Sequence, residues 1–265
     1  VDAAVGALNA AVNAVQFVGA GPGAADLLTV RAVRLLEAAD TVLYPGSYLD
    51  ANFLESCSPA AELIDTQNLN LDEIVARIVE AHNAGRRVVR LVSGDPSLYS
   101  AVSEQTRRLD SAGVPWQITP GVPSYAAAAA RVGRELTVPL VAQSVVLTRT
   151  QARSTAMPGT ESLAAFAATR ATLVLHLAIT AVRALMDELA PTYGWDCPAV
   201  VVYRASQSAE LVLRGTVADI ADQVETAGLR QAAVILVGEA LGERADPRAG
   251  ESHLYDPQRD RSATQ

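Results

Sequence analysis

A short run rich in Val and Leu, a turn of Gly, Pro or Ser, and then an amphipathic stretch at helical spacing recur along the first half of the chain. This repeat constrains the fold more than any other feature, because strands joined by helical crossovers must lie parallel in one sheet. It predicts strands near residues 15–19, 41–44, 61–64, 86–92 and 114–118. Between the third and fourth, Leu71, Ile74, Val75, Ile78 and Val79 recur at helical spacing, and Gly85 stands where a C-cap glycine is expected. The Ala run 126–130 reads as a helix packed closely against a sheet. Residues 131–139 break the pattern with Gly133 and Pro139, after which the apolar runs are VVLTR, TLVLHLA, VVVYRA, ELVLRG and AVILVG. These predict a second domain. Within it, YRASQSAELVLRGTV reads as two strands joined by a short polar turn, so the second sheet is expected to be mixed. The expected fold class is therefore α/β with flanking helices: a mostly parallel sheet in a domain over 15–130 and a mixed sheet in a domain over 138–242. A charged tail over 243–265 is expected to lie on the surface or to be partly disordered. A chain of 265 residues has ample material for two such cores.

Composition removes several chemistries. All 21 basic residues are arginine, so neither a lysine Schiff base nor a P-loop is available. The net charge of −8 argues against affinity gained by neutralising nucleic-acid phosphates, and the expected partner is a small molecule. Cys57, Cys197, His82, His176 and His253 are scattered at spacings that match no zinc or iron–sulfur ligand set, so no metal is expected. No apolar stretch approaches the roughly 18 residues of a membrane span, and the start VDAAVGALNAAVNA carries an acid where a signal peptide would be basic. The expectation is a cytoplasmic protein without a membrane partner.

In open α/β sheets ligands bind outside the carboxyl ends of strands, so the turns there are the first place to look. Three stand out: Gly19-Ala20-Gly21-Pro22-Gly23, Ser93-Gly94-Asp95-Pro96 and Pro120-Gly121-Val122-Pro123-Ser124. Each lacks bulk where backbone would meet a ligand, and together they predict a shared crevice. Gly19, Gly21 and Ala24 also fit a dinucleotide fingerprint, but the strand TVLY ends in Tyr44-Pro45 and the acid Asp40 precedes it. Nicotinamide binding is the lesser alternative.

The segments FVGAGPGAADLLTVRAVRLLEAADTVLY, VVRLVSGDPSLYSAVSEQ, ITPGVPSYAAAAA and YRASQSAE resemble the tetrapyrrole methylases over nearly the whole chain. YPGSYLD, VVLTRTQARSTAMP and SHLYDP are most similar to the branch that methylates carbon 11 of precorrin-4 or cobalt-precorrin-4 in cobalamin biosynthesis. The resemblance implies a two-domain homodimer that uses S-adenosylmethionine, held largely by backbone in the cleft between the domains. Carried over by motif, Pro22, Ser93, Gly94, Asp95, Leu98, Pro123 and Ser124 would line the cofactor pocket, with Leu177, Ala205 and Ala233 from the second domain. Other members often carry Thr-Ala at Pro123-Ser124 and Met at Leu177.

Methyl transfer from a sulfonium is an in-line displacement that needs positioning rather than a covalent enzyme intermediate, so no nucleophile is assigned. Asp95 is the best polar candidate, either orienting cofactor or substrate or capping a helix that begins after Pro96. Tyr44, Ser47 and Tyr48 follow the second strand and either face the substrate or form an ordinary turn. Arg149 and Arg153 suit the acetate and propionate carboxylates of a tetrapyrrole; the alternative is solvated loop charge. His176 and His82 fall in apolar patterns and read as hydrogen-bonded core histidines. Two further possibilities are the same chemistry at another ring position and a nucleotide-cofactor binding protein without turnover.

Overall fold

The computed structural model describes residues 13–46, 51–150, 156–242, 249–255 and 258. The chain divides into two compact units, Val1–Ala127 with Ser206–Ser208, and Ala128–Ala205 with Ala209–Gln265.

The first unit holds β1 (Val15–Gly19), β2 (Thr41–Tyr44), β3 (Glu62–Asp65), β4 (Val88–Val92) and β5 (Trp116–Thr119). They form one sheet in the order β3-β2-β4-β1-β5, and every neighbouring pair is parallel. The crossovers carry the helices α1 (Val30–Ala38), α2 (Leu71–Asn83) and α3 (Val102–Ser111), and β5 leads into α4 (Ser124–Val132). On one face Phe17, Leu43, Val88 and Val92 pack with Ile74, Val75 and Ile78 of α2 and with Val102 and Leu109 of α3. On the other, Val18, Val42, Val89 and Leu91 pack with Ala32 and Leu36 of α1 and with Phe53 and Cys57. Burial on both faces is why the inner strands β1, β2 and β4 read as nearly continuous apolar runs instead of alternating ones, whereas the edge strands β3 and β5 are largely exposed.

Gly85 closes α2 as expected, and the N-terminal end carries a cap that was not anticipated. Asn70 and Glu73 form a reciprocal capping box, with Asn70 Oδ1 accepting from the Glu73 N–H at 3.0 Å and Glu73 Oε2 accepting from the Asn70 N–H at 2.8 Å. At the other end Gly85 adopts φ +75°, its N–H donates to the His82 carbonyl, and the Arg86 N–H donates to the Ala81 carbonyl. That pair of bonds satisfies the last carbonyls of the helix and requires a left-handed residue at Gly85. His82, in the last turn, is half-buried and not a core residue.

The second unit holds β6 (Val145–Arg149), β7 (Thr172–His176), β8 (Pro198–Tyr203), β9 (Leu211–Thr216) and β10 (Ala233–Val237), in the order β6-β7-β10-β8-β9. The β6–β7 pair is parallel and the rest are antiparallel, so this sheet is mixed. Its main core combines Leu173, Leu175, Val201, Ile235 and Val237 with Ala167 of α5 (Leu163–Ala167), Leu185, Met186 and Leu189 of α6 (Val182–Tyr193) and Ile220 and Val224 of α7 (Ile220–Thr226). β8 and β9 form the expected antiparallel pair, with Tyr203 opposite Leu211. Their connection is longer than the short turn the sequence suggested, because Ser206–Ser208 groups with the first unit. Parts of the tail, residues 243–248, 256, 257 and 259–265, lie outside the described residues.

Candidate active site

In the first unit β4, β1 and β5 are neighbours, so the three glycine-rich turns that follow them emerge side by side. The chain leaves β1 toward β2 and leaves β4 toward β5, in opposite directions across the sheet. That divergence opens a crevice at the carboxyl ends of such strands.

The turns are interlocked. The Gly21 N–H donates to the Gly94 carbonyl at 3.1 Å and the Gly94 N–H returns to the Gly21 carbonyl at 2.8 Å. Asp95 joins the second turn to the third, its Oδ2 accepting from the Gly121 N–H at 2.8 Å. The glycines serve this contact more than the sequence implied. A Cβ on Gly121 would lie 2.2 Å from the Gly94 carbonyl oxygen, and one on Gly19 would lie 2.5 Å from the Gly121 nitrogen. At those two positions backbone meets backbone of the next turn, not open space. Gly94 differs: φ is +67°, but a Cβ there would meet only Pro123 and Ser124, at 3.7 Å.

Asp95 caps no helix, which corrects one sequence expectation. Its Oδ1 accepts from the Ser97 N–H at 2.8 Å and from the Ser97 hydroxyl, and the next helix starts at Val102, after Tyr99 and Ala101 have both turned left-handed. Burial pushes its carboxyl upward. Bonds from the Ser97 hydroxyl, the Gly121 N–H and the Ser97 N–H outweigh that and hold it below the usual carboxylate value. Asp95 is therefore an ionised clamp between two turns. It is poorly suited to carry a proton at neutral pH.

The remaining first-unit candidates surround this clamp. Ser93 is exposed, Leu98 is half-buried with its N–H on the Asp95 carbonyl, and Pro123 and Ser124 open α4. The backbone N–H groups of Asp95 and Val122 have no partner among the described residues. Two such amides beside exposed Ser93 are donors suited to the polar groups of a nucleoside-type cofactor. Pro22 is buried, and its carbonyl accepts from Gln207 Nε2 at 2.9 Å. Ser206 Oγ accepts from the Ala24 N–H at 3.1 Å. Ser206 and Gln207 thus close over the first turn, a role the sequence reading missed although the segment YRASQSAE was noted. Asp40 is held by Arg87, whose Nε and N–H reach Oδ2 at 2.9 and 2.8 Å and whose NH2 reaches Oδ1 at 2.7 Å. That leaves no ribose acid for a dinucleotide.

Tyr44 ends β2 beside this group, half-buried, its ring centroid 5.2 Å from that of Phe53. Ser47, Tyr48 and Arg153 lie outside the described residues.

In the second unit the carried-over positions share one end of the sheet. β6 ends at Arg149 opposite His176, Leu177 follows β7, Ala205 follows β8 and β10 begins at Ala233. Ala205 is buried, Ala233 half-buried and Leu177 57% exposed. Leu177, Arg204 and Ala232 take φ of 53°, 46° and 52°, left-handed values costly for non-glycine residues. Arg149 is half-buried at the end of β6. His176 is buried, and burial pulls its imidazole down to about 4, leaving it neutral at physiological pH. Among the described residues no cluster of His, Cys, Asp or Glu could hold a metal, and no helix is long and apolar enough to cross a membrane.

A family model described as Tetrapyrrole (Corrin/Porphyrin) Methylases matches residues 14–221. The chain belongs to the tetrapyrrole methylases. A precorrin-4 C(11)-methyltransferase of Rhodococcus erythropolis is 52% identical over 94% of this chain and 98% of its own length. The X-ray structure of a cobalt precorrin-4 methyltransferase, a cobalamin biosynthetic enzyme, aligns with TM-score 0.85 and 38% identity, covering 88% of this chain and 98% of that one. A uroporphyrin-III C-methyltransferase from Thermus thermophilus, complexed with S-adenosylhomocysteine, aligns with TM-score 0.71 and 28% identity over 86% and 98%. As a tetrapyrrole methylase the chain is an enzyme.

Proposed function

We propose that this tetrapyrrole methylase transfers a methyl group from S-adenosylmethionine to carbon 11 of precorrin-4, or of its cobalt complex, in cobalamin biosynthesis. The observation that carries the reading is the interlocked trio of turns, whose Asp95 and Val122 amides have no partner among the described residues, in a chain 52% identical to a precorrin-4 C(11)-methyltransferase. When bound, the cofactor supplies an electrophilic methyl group to an electron-rich ring carbon.

The protein's own part is positional. Holding two reactants in line at near-attack distance is worth roughly 7 to 11 kcal/mol, and a rigid set of turns provides such a frame without a nucleophile. Ser93, Gly94, Asp95, Leu98, Pro123 and Ser124 are proposed to bear on the cofactor chiefly through backbone, with Pro22 supporting from beneath; Leu177, Ala205 and Ala233 are the proposed second-unit positions. Asp95 acts by keeping its turn and the Gly121 turn in register. Tyr44 and Ser47, with Arg149 and Arg153, are proposed to face the substrate, where guanidinium forks suit its carboxylates. The protein is proposed to work in the cytoplasm as a homodimer, with no nucleic-acid or membrane partner.

Incubation with precorrin-4 and methyl-labelled cofactor, followed by NMR location of the label, tests this. Label at carbon 11 supports the reading. Label at another ring position moves the regiochemistry, and cofactor binding without transfer makes the chain a binding protein.

A further inference from the structure

Among the described residues of the first unit, Arg90 is a buried charge that no acid accompanies. It sits in the middle of β4, opposite Phe17 and Leu43 on the neighbouring strands, and is 6% exposed. Its hydrogen-bond partners are neutral: Nε donates to Gln105 Oε1 at 3.2 Å and NH1 donates to Thr66 Oγ1 at 3.0 Å. Gln105 and Thr66 are themselves 2% and 5% exposed. Burial alone pulls the guanidinium down to about 10. A cation kept inside a sheet without a counter-charge contributes little to stability, and hydrophobic replacement of buried ionic groups is often neutral or favourable.

What Arg90 does hold is a path to the turn after β2. The Thr66 hydroxyl accepts a hydrogen bond from the guanidinium and donates one to the Tyr44 carbonyl at 3.1 Å, while the Thr66 N–H donates to the same carbonyl at 2.9 Å. One residue earlier, Asp65 Oδ1 accepts from the Gly46 N–H at 3.0 Å and from the Gln67 N–H at 2.9 Å. A Cβ on Gly46 would lie 2.3 Å from the Asp65 carboxylate. The end of β3 thus grips Tyr44-Pro45-Gly46 from two sides, and Arg90 fixes the hydroxyl of that grip in its donating direction. Because β2 neighbours β4, this turn emerges beside the Ser93-Gly94-Asp95 turn.

We propose that Arg90 is a positioning residue for the tetrapyrrole: through Thr66 it orients the Tyr44-Pro45-Gly46 turn that presents Tyr44 to the substrate. The inference rests on the assignment of Tyr44 to the substrate side. It separates Arg90 from the cofactor, which the other turns hold.

The test uses the full chain with Arg90→Met, Thr66→Val and Thr66→Ser. Arg90→Met and Thr66→Val should raise KM for precorrin-4 roughly five-fold or more, the loss of about one hydrogen bond's worth of orientation. Calorimetric affinity for S-adenosylhomocysteine should stay within about two-fold, and Thr66→Ser, which keeps the hydroxyl, should restore KM. An unchanged KM in Thr66→Val, or an equal loss of cofactor affinity, would overturn the proposal. Amide exchange at Thr66 and Gly46 gives a reading independent of turnover. It should quicken in Thr66→Val and not in Thr66→Ser, and equal protection in both would overturn the relay even if the wild type proved to act on another substrate.

Discussion

The two sheet ends shape their backbone by opposite routes. In the first unit the turns after β1, β4 and β5 are built from glycines, whose missing side chains let Gly19, Gly94 and Gly121 approach one another. In the second, Leu177, Arg204 and Ala232 hold left-handed backbone with side chains present, and the surrounding fold bears the strain. One end is shaped by residue type. The other is shaped by context.

The sharpest way to break this contrast is at Gly121. Gly121→Ala places a carbon 2.2 Å from the Gly94 carbonyl oxygen, a clash between backbones that no rotamer can relieve. The expected cost is about 3 kcal/mol or more in urea unfolding. Gly94→Ala has space for its Cβ and suffers mainly from φ, so it should cost about 1 to 2 kcal/mol. If the two variants are equally stable, the turns are not interlocked as described.

Acid should separate the ends next. Asp95 has a depressed folded value, so its contribution is present above the unfolded carboxyl value and is lost only as pH falls through the lower folded one. His176 acts in the same direction but at higher pH. Its folded value of about 4 lies below the unfolded 6.5, so the unfolded state takes up the proton first and stability falls as pH drops from about 6.5 toward 4. The loss should reach about 2 kcal/mol by pH 5, measured by urea unfolding at pH 7.5 and 5, and His176→Leu should flatten it. A variant with the wild-type slope would place the acid sensitivity elsewhere.

A smaller effect sharpens the contrast directly. Ala232 is exposed with φ 52°, so Ala232→Gly should relieve strain and stabilise the chain by about 1 kcal/mol. The same release at Leu177 should be accompanied by weaker cofactor binding, read by calorimetry, since its exposed side chain is a proposed contact. If Leu177→Gly binds normally, the strain there serves something else.

The contrast also explains what could be read from the amino acids. The strands of the first unit fall within two residues of expectation, and α2 is legible from its apolar spacing and Gly85, because these are local signals, whereas the Asn70–Glu73 capping box was equally local and went unread. The glycine turns were visible for the same reason. The role of Asp95 was not, because its partner Gly121 is distant in sequence, and Pro96 suggested a helix start that Tyr99 and Ala101 postpone. The closure of Ser206 and Gln207 over Pro22 and Ala24 was equally hidden. Nothing in the residue types of Leu177, Arg204 and Ala232 announces a left-handed backbone. Such positions become visible only once tertiary contacts are known.

The smallest expected effect compares two threonines in equivalent settings. Thr41 opens β2 and Thr172 opens β7, and both are fully buried. Thr172 Oγ1 donates to the Leu136 carbonyl at 2.8 Å, whereas the Thr41 hydroxyl has no hydrogen-bond partner among the described residues. Replacing a satisfied hydroxyl strands its acceptor, while replacing an orphaned one removes a desolvation penalty. Thr172→Val should therefore destabilise by about 1 kcal/mol, and Thr41→Val should be neutral or stabilising by less than about 1 kcal/mol. The isosteric change keeps packing nearly constant in both, so the difference in urea midpoint reports the hydrogen bond. Equal losses at the two sites would mean that the Thr41 hydroxyl is satisfied in solution, by water entering at the start of β2.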